Sequence, residues 1–288
     1  MTSSRFERQE RLFGAEGQVR LAALQAAIVG LGGLGSHVAQ QLGYLGVCRF
    51  TLIDRDVVDE TSLNRLIGAT ATDALSATPK VLVARRLLQA INPAAEIDLV
   101  QDSFISERGF AALRAADVVI GCVDRTGARF VLNEFCQAYE RPYLDIATDI
   151  HPEEGTFGGH VVFGVGQGCV HCLDMLDEDE LQYDLSSGAQ RAERRQIYGV
   201  ARSNLGQTGP AVVSLNGVLA SLAVTELIRE MVGLGRARRH LEYRGDLGVV
   251  RRDTSEPPLD CYYCFSLRGK GNDADIGRYI RDGVGANL

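Results

Sequence analysis

Residues 26–35, Ala-Ala-Ile-Val-Gly-Leu-Gly-Gly-Leu-Gly, run an apolar strand straight into G-x-G-x-x-G at Gly30, Gly32 and Gly35. A strand ending in such a loop is followed by a helix packed close against it, so the feature sets an α/β layering and a seat for phosphates together. Gly30 permits the tight turn, Gly32 removes the side chain that would hold backbone amides away from a phosphate, and Gly35 lets the helix close on the strand. The helix N-terminus then faces the anion. A second strand, Arg49–Ile53, ends at Asp54, nineteen residues past Gly35, where a carboxylate can accept hydrogen bonds from ribose hydroxyls. Loop and acid specify a nucleotide without saying which.

Strand and helix patterns then alternate from residue 26 to about 148. Strands are predicted at 26–30, 49–53, 96–100, 117–121 and 142–147, with helices at 33–46, 78–91, 106–114 and 126–139. This alternation predicts a Rossmann-like, doubly wound, mostly parallel α/β sheet. Residues 155–164 extend it with an antiparallel strand, and an apolar helix covers roughly 210–231. Residues 1–24 read as an N-terminal helical arm and 25–265 as the nucleotide-using domain. Residues 173–207, acidic then basic, read as a crossover loop or mobile lid, and 266–288 as a partly ordered tail. A formal charge of −7 gives no general attraction to nucleic acid or anionic membrane. With no apolar run long enough to span a bilayer and no signal-like N-terminus, a cytoplasmic protein is expected, without membrane or nucleic-acid partners.

Seven cysteines in such a chain favour metal ligation or buried thiols over disulfides. Cys169-Val-His-Cys172 and Cys261-Tyr-Tyr-Cys264 are two C-x-x-C knuckles separated by 88 residues, and together they can supply four thiolates to one tetrahedral ion. The expectation is a structural Zn2+ site tying the chain after the sheet to the C-terminal segment. His171 is an alternative ligand inside the first knuckle, although four thiolates already complete the shell. Cys48, Cys122 and Cys136 lie in apolar contexts and read as inert thiols.

Three further positions bear on the nucleotide. Asn64-Arg65 follows the acid, Lys80 stands at a helix start behind Pro79, and Asp124 follows the strand 117–121. A parallel sheet brings such element ends to one edge. Two cations and a carboxylate there suit a triphosphate with Mg2+ better than a dinucleotide that donates hydride. Arg65 and Lys80 would neutralise phosphate oxygens, and Asp124 would hold the metal.

Arg5-Phe-Glu-Arg8-Gln9, the Gly30–Gly35 loop, Asp54-Arg-Asp56, Asn64-Arg65, Thr78-Pro-Lys80, Cys122-Val-Asp124 and the double C-x-x-C follow one another in this order. That ordered set resembles the ThiF/MoeB family, also represented by HesA, the prokaryotic relatives of the ubiquitin-activating enzymes. The resemblance spans residue 5 to about 265. It implies ATP-dependent carboxylate activation, in which the C-terminus of a small ubiquitin-like or sulfur-carrier protein attacks the α-phosphate of ATP to give an acyl-adenylate and pyrophosphate. By position it implies Gly32 and Gly33 near the phosphates, Asp54 on the ribose, Arg65 and Lys80 on phosphates, and Asp124 on Mg2+. Asp56 and Asn64 fall inside the nucleotide-binding motifs. Arg8 resembles the family's arginine finger, reaching the neighbouring subunit's site and so implying a homodimer.

The chain also departs from the family pattern. Members that go on to a thioester or persulfide commonly carry a cysteine in the crossover loop, and residues 173–209 have none. The adenylate is then handed directly to another protein's nucleophile, or Ser203 or Thr208 takes it as an oxyester; direct transfer is favoured, since an unactivated serine is a poor nucleophile. Arg125 stands where the family often has asparagine, either adding a phosphate contact or facing solvent, and the Arg191–Arg195 cluster reads as a solvated surface helix, with binding of a substrate tail as the alternative. Competing readings are activation of a short peptide or small carboxylate, an NAD-dependent dehydrogenase, and a silent scaffold.

Overall fold

The computed structural model describes residues 5–164, 166, 168–186, 209–254, 256–286 and 288. One eight-stranded sheet, in the order β3-β2-β1-β4-β5-β6-β7-β8, organises it. The parallel part consists of β1 (Gln25–Val29), β2 (Arg49–Ile53), β3 (Glu96–Val100), β4 (Val118–Gly121) and the first half of β5 (Tyr143–His151). Beyond it, β6 (Thr156–Gly164), β7 (His240–Arg244) and β8 (Val249–Arg252) pair antiparallel. β2 and β3 lie to one side of β1 and β4 to the other, so the winding reverses beside the Gly loop. A crevice opens there, outside the C-terminal strand ends.

The helices follow the sequence pattern closely where one face is apolar. α1 (Glu7–Ala23) precedes β1, α2 (Gly33–Leu45) follows the Gly loop, and the short α3 (Ala71–Leu75), not foreseen, precedes α4 (Lys80–Ile91). Pro79 sits at the N-cap of α4, where a missing N–H costs nothing, and this starts the helix two residues later than predicted. α5 (Glu107–Ala115) and α6 (Thr126–Ala138) flank β4, and α7 (Glu178–Leu185) and α8 (Val213–Val232) complete the set before the final turn, α9 (Arg278–Arg281). α2, α4 and α8 cover one face of the sheet through Val38, Leu42, Leu88, Leu219 and Leu227, all inaccessible to solvent.

The other face is built around α6, every residue of which is buried. Its apolar side, Phe130, Val131 and Phe135 among others, meets the sheet and its surroundings. Its polar side would face water in an ordinary amphipathic helix; here other segments cover it. α7 does so within the stretch expected as a crossover loop, and residues 266–288, expected as a partly ordered tail, do so as well. Leu267, Ile276, Tyr279, Val284 and Leu288 join the core around α6. Glu134 of α6 accepts from Arg278 Nη2 at 2.6 Å and from the Tyr279 hydroxyl, and Gly269 N–H donates to the Gln137 carbonyl at 3.1 Å. The tail is ordered because α6 presents it with buried polar groups that need partners. Among the described residues no helix is long and apolar enough to cross a membrane.

Candidate active site

The Gly loop forms one wall of a crevice of about 580 Å³. Gly30 has φ +85°, and a Cβ there would fall 2.5 Å from the Cys122 carbonyl oxygen; a Cβ on Gly35 would fall 1.9 Å from the Gly30 oxygen. Only glycine fits at either position, and their closeness holds α2 against β1 and β4. Gly32, by contrast, has nothing within 4 Å of where its Cβ would be. The backbone is bare toward the crevice there, and the N-terminus of α2 opens onto it.

Most of the residues singled out in the sequence come to this crevice. Gly30, Gly32, Gly33, Asp54, Asp56, Arg65, Lys80 and Asp124 all line it. Three do not: Gly35 is committed to packing, Asn64 is exposed outside the lining, where its Oδ1 accepts from Arg65 Nη1 at 3.1 Å, and Arg8 is the third. The same Nη1 donates to the Thr61 carbonyl at 2.6 Å, so Arg65 is held in place before any ligand arrives. Arg8 is exposed on α1 and does not line the crevice of its own chain.

Asp54 is fixed by two backbone amides, Leu31 N–H on Oδ2 at 2.6 Å and Asp56 N–H on Oδ1 at 2.8 Å. Burial pushes its pKa up, and the nearby Lys80 charge and these two amides only partly offset that. Lys80 Nζ rests 2.8 Å from Asp56 Oδ2, a carboxylate that is 58% exposed. With the carboxylate this hydrated the pair contributes about 0–1 kcal/mol, even though the lysine side chain is only 15% exposed, so Lys80 can exchange its partner for an incoming anion at little cost. Asp124 is exposed just beyond β4.

The sequence reading missed the floor of the crevice. Asp145, fully buried on β5, accepts from Arg129 Nη2 at 2.6 Å and from the Tyr143 hydroxyl at 2.8 Å. Burial alone would raise the Asp145 pKa, but the Arg129 charge and the bonds it receives hold it well below the usual carboxylate range. His160, on β6, has Nε2 2.6 Å from Arg129 Nη2 and Nδ1 3.0 Å from Asp149 Oδ2. Burial opposes a charge on this ring, bonds to Asp145 and Asp149 favour one, and the balance raises its pKa. Against that, a protonated Nε2 would face the Arg129 donor. We assign the neutral ring, with Nδ1–H on Asp149, because it leaves no donor facing a donor. Asn216, also missed, is a buried amide near the start of α8 whose Nδ2 would lie 2.1 Å from a Cβ at Gly33. The visible signals were a lone asparagine in an apolar helix and five polar residues in 126–138.

Arg125 lines the crevice and is paired with Asp184 of α7. Asp184 also accepts the Gly127 N–H at 2.9 Å, and the Thr126 hydroxyl donates to Glu180 at 2.7 Å. The start of α6 is thus capped by α7. Ser203, Thr208 and the Arg191–Arg195 cluster lie outside the described residues.

Behind α6 the four cysteines of the two knuckles meet. Their sulfurs all lie within 4.8 Å of one another. Sγ of Cys169 is 3.8 Å from that of Cys172 and 3.9 Å from that of Cys261, and Cys172 is 3.9 Å from Cys264. A tetrahedral ion with 2.3 Å metal–sulfur bonds sets sulfurs about 3.8 Å apart, so the cluster can hold a metal. The imidazole of His171 is turned instead edge-on to Tyr263, with ring centroids 4.7 Å apart. Cys122 and Cys136 are inert by environment, since burial pushes both thiols far up.

The model of the ThiF family matches residues 6–264, which takes in both the crevice and the cysteine cluster. The chain belongs to the ThiF family. Among its relatives, the adenylyltransferase and sulfurtransferase MOCS3 of Drosophila willistoni is 31% identical over 274 residues, covering 91% of this chain and 53% of that protein. The sulfur carrier protein adenylyltransferase of Thermus thermophilus is 34% identical over 142 residues, covering 49% of this chain and 52% of that one. This ThiF-family chain therefore spans about half the length of these relatives. In fold it is similar to Escherichia coli MccB, with TM-score 0.71 and 18% identity over 92% of this chain and 73% of MccB.

Proposed function

We propose that this chain activates a carboxylate by adenylation. The carboxylate oxygen of the substrate attacks the α-phosphorus of ATP, the bond from that phosphorus to the bridging oxygen breaks, and pyrophosphate leaves with the electron pair. The observation that carries the reading is the gathering of Gly32, Gly33, Asp54, Arg65, Lys80 and Asp124 on one crevice beside the reversal point of the sheet. Amides at the start of α2 and the two cations meet negative charge where it grows in the transition state. Lys80 passes from Asp56 to a phosphate, while Arg65 is already held. Asp54 accepts from the ribose. An exposed carboxylate among phosphate-binding groups suits a hard divalent cation, so Asp124 would hold Mg2+, which supplies charge neutralisation on the phosphates. The Cys169, Cys172, Cys261 and Cys264 set suits Zn2+ in a closed structural role.

The substrate is the C-terminal tail of a small ubiquitin-like or sulfur-carrier protein. The names of the MOCS3 and Thermus relatives support this class, and family membership weighs against the dehydrogenase reading. Labelled pyrophosphate should exchange into ATP only when such a protein ending in Gly-Gly is present. Exchange with a short peptide or small carboxylate alone would replace the substrate class, and no exchange with any carboxylate would overturn the activity. Arg8 is assigned to the crevice of a second copy. Mixing inactive Arg8→Ala and Lys80→Ala chains should then restore roughly a quarter of the parent rate, because half of the dimers are mixed and each has one whole site.

A further inference from the structure

One end of the crevice is closed by a part of the chain remote from it in sequence. The short turn Val284–Ala286 lies on the loop that follows β3. A Cβ on Gly285 would fall 2.5 Å from the Ile105 carbonyl oxygen and 3.3 Å from Ser103 Oγ, so the turn is seated flush on that loop. Arg55, between Asp54 and Asp56, donates from Nη1 to the Gly285 carbonyl at 3.0 Å. Leu288 is 8% exposed and lines the crevice together with Phe104 and Ala128. A Cβ on Gly127 would meet its side chain at 3.2 Å. The segment is delivered there by α9, which Arg278 and Tyr279 anchor to Glu134.

A nucleotide with its phosphates on Gly32 and Gly33 and its ribose on Asp54 must send its base onward, past the end of β2. The space beyond is bounded by Arg55, Asp102, Ser103, Phe104 and Val123. We propose that the Leu288 side chain, positioned by the Val284–Ala286 turn behind it, forms part of the base-side wall of this site, making Leu288 an affinity-determining contact for a purine. This rests on the nucleotide reading above. An aromatic base gains by burying its faces on apolar side chains, and Phe104, Val123 and Leu288 are apolar groups presented there. Arg55 and the close seat of Gly285 keep the wall from drifting, so the contact is formed before the nucleotide arrives.

Calorimetric titration of the full chain with ATP and with inorganic tripolyphosphate separates the base from the phosphates. Leu288→Ala should weaken ATP about tenfold and leave tripolyphosphate unchanged. Gly285→Ala, which must push the turn off the Ile105 carbonyl, should show the same selective loss; it carries the test if the first variant is unstable. Unchanged ATP affinity in both variants, or an equal loss of ATP and tripolyphosphate, overturns the proposal. A parent chain that binds neither ligand overturns the nucleotide reading, and this inference with it.

Discussion

The crevice and the region behind α6 are assembled in opposite ways. Many crevice groups come from the ends of adjacent strands and the loops just after them, Gly30–Gly35 after β1, Asp54 after β2 and Asp124 after β4, and are placed by a short piece of chain; Asn216 and Leu288 reach it from farther away. The rear region joins residues far apart in the chain, 92 positions where Cys169 meets Cys261 and 144 where Glu134 meets Arg278. Charge is handled differently too. In the crevice Lys80 pairs with Asp56, a carboxylate that stays open to water, whereas the carboxylates of Asp145 beneath it and Glu134 behind it are buried against Arg129 and Arg278. The difference teaches that a cation whose carboxylate is hydrated can change partners and one whose carboxylate is buried keeps it. Variants of the first kind should alter rate, and variants of the second kind should alter stability.

The largest effect is expected from the cysteine cluster. Metal analysis should find about one zinc per chain, and stripping it or making Cys264→Ser should cost on the order of 5 kcal/mol or more, read as a fall in Tm. A metal-free chain that melts as the parent does would erase the contrast between the two regions. Next comes Asp145→Asn, which leaves Arg129 buried without its counter-charge and should cost about 3–5 kcal/mol in urea unfolding at neutral pH. Because Asp145 has a depressed pKa, its contribution is complete above the ordinary carboxylate value of 3.8 and fades as pH falls through the lower native value. The parent and variant stability curves should therefore converge in acid; a constant gap would mean that the loss is not electrostatic.

Lys80→Ala should reverse the pattern. Pyrophosphate exchange should fall on the order of 10²–10³-fold with Tm unchanged, and a large loss of stability would show that the lysine is structural. The smallest effect belongs to Asp56→Asn. Removing this exposed partner should move stability by less than about 1 kcal/mol and the KM for ATP by less than about fivefold. A larger change in either would place Asp56 among the groups that do not exchange.

Legibility followed the same division. The Gly loop, Asp54 and Asp124 could be named from the sequence because motif and strand end coincide there, and Arg65 and Lys80 because they stand in short motifs downstream of β2. The four cysteines could be grouped because thiol pairs at that spacing have few other uses. Arg129, Asp145 and His160 could not, since nothing local distinguishes a buried ion pair from a solvated one. Asn64 was read as part of the site, but it supports Arg65 from outside the lining. Residues 266–288 looked like a tail because their glycines and aspartates carry no helical or strand period, and their order depends on α6.

Taken alone, the sequence determined the layered α/β sheet, the phosphate-facing loop and the thiol quartet, because periodicity and short-range spacing act within a few residues of chain. Tertiary structure decided which face of α6 needed covering, which carboxylate sat beneath which guanidinium, and where Leu288 came to rest. Those outcomes depend on burial, and the cost of burying a polar group is set by partners that only the folded chain brings within reach.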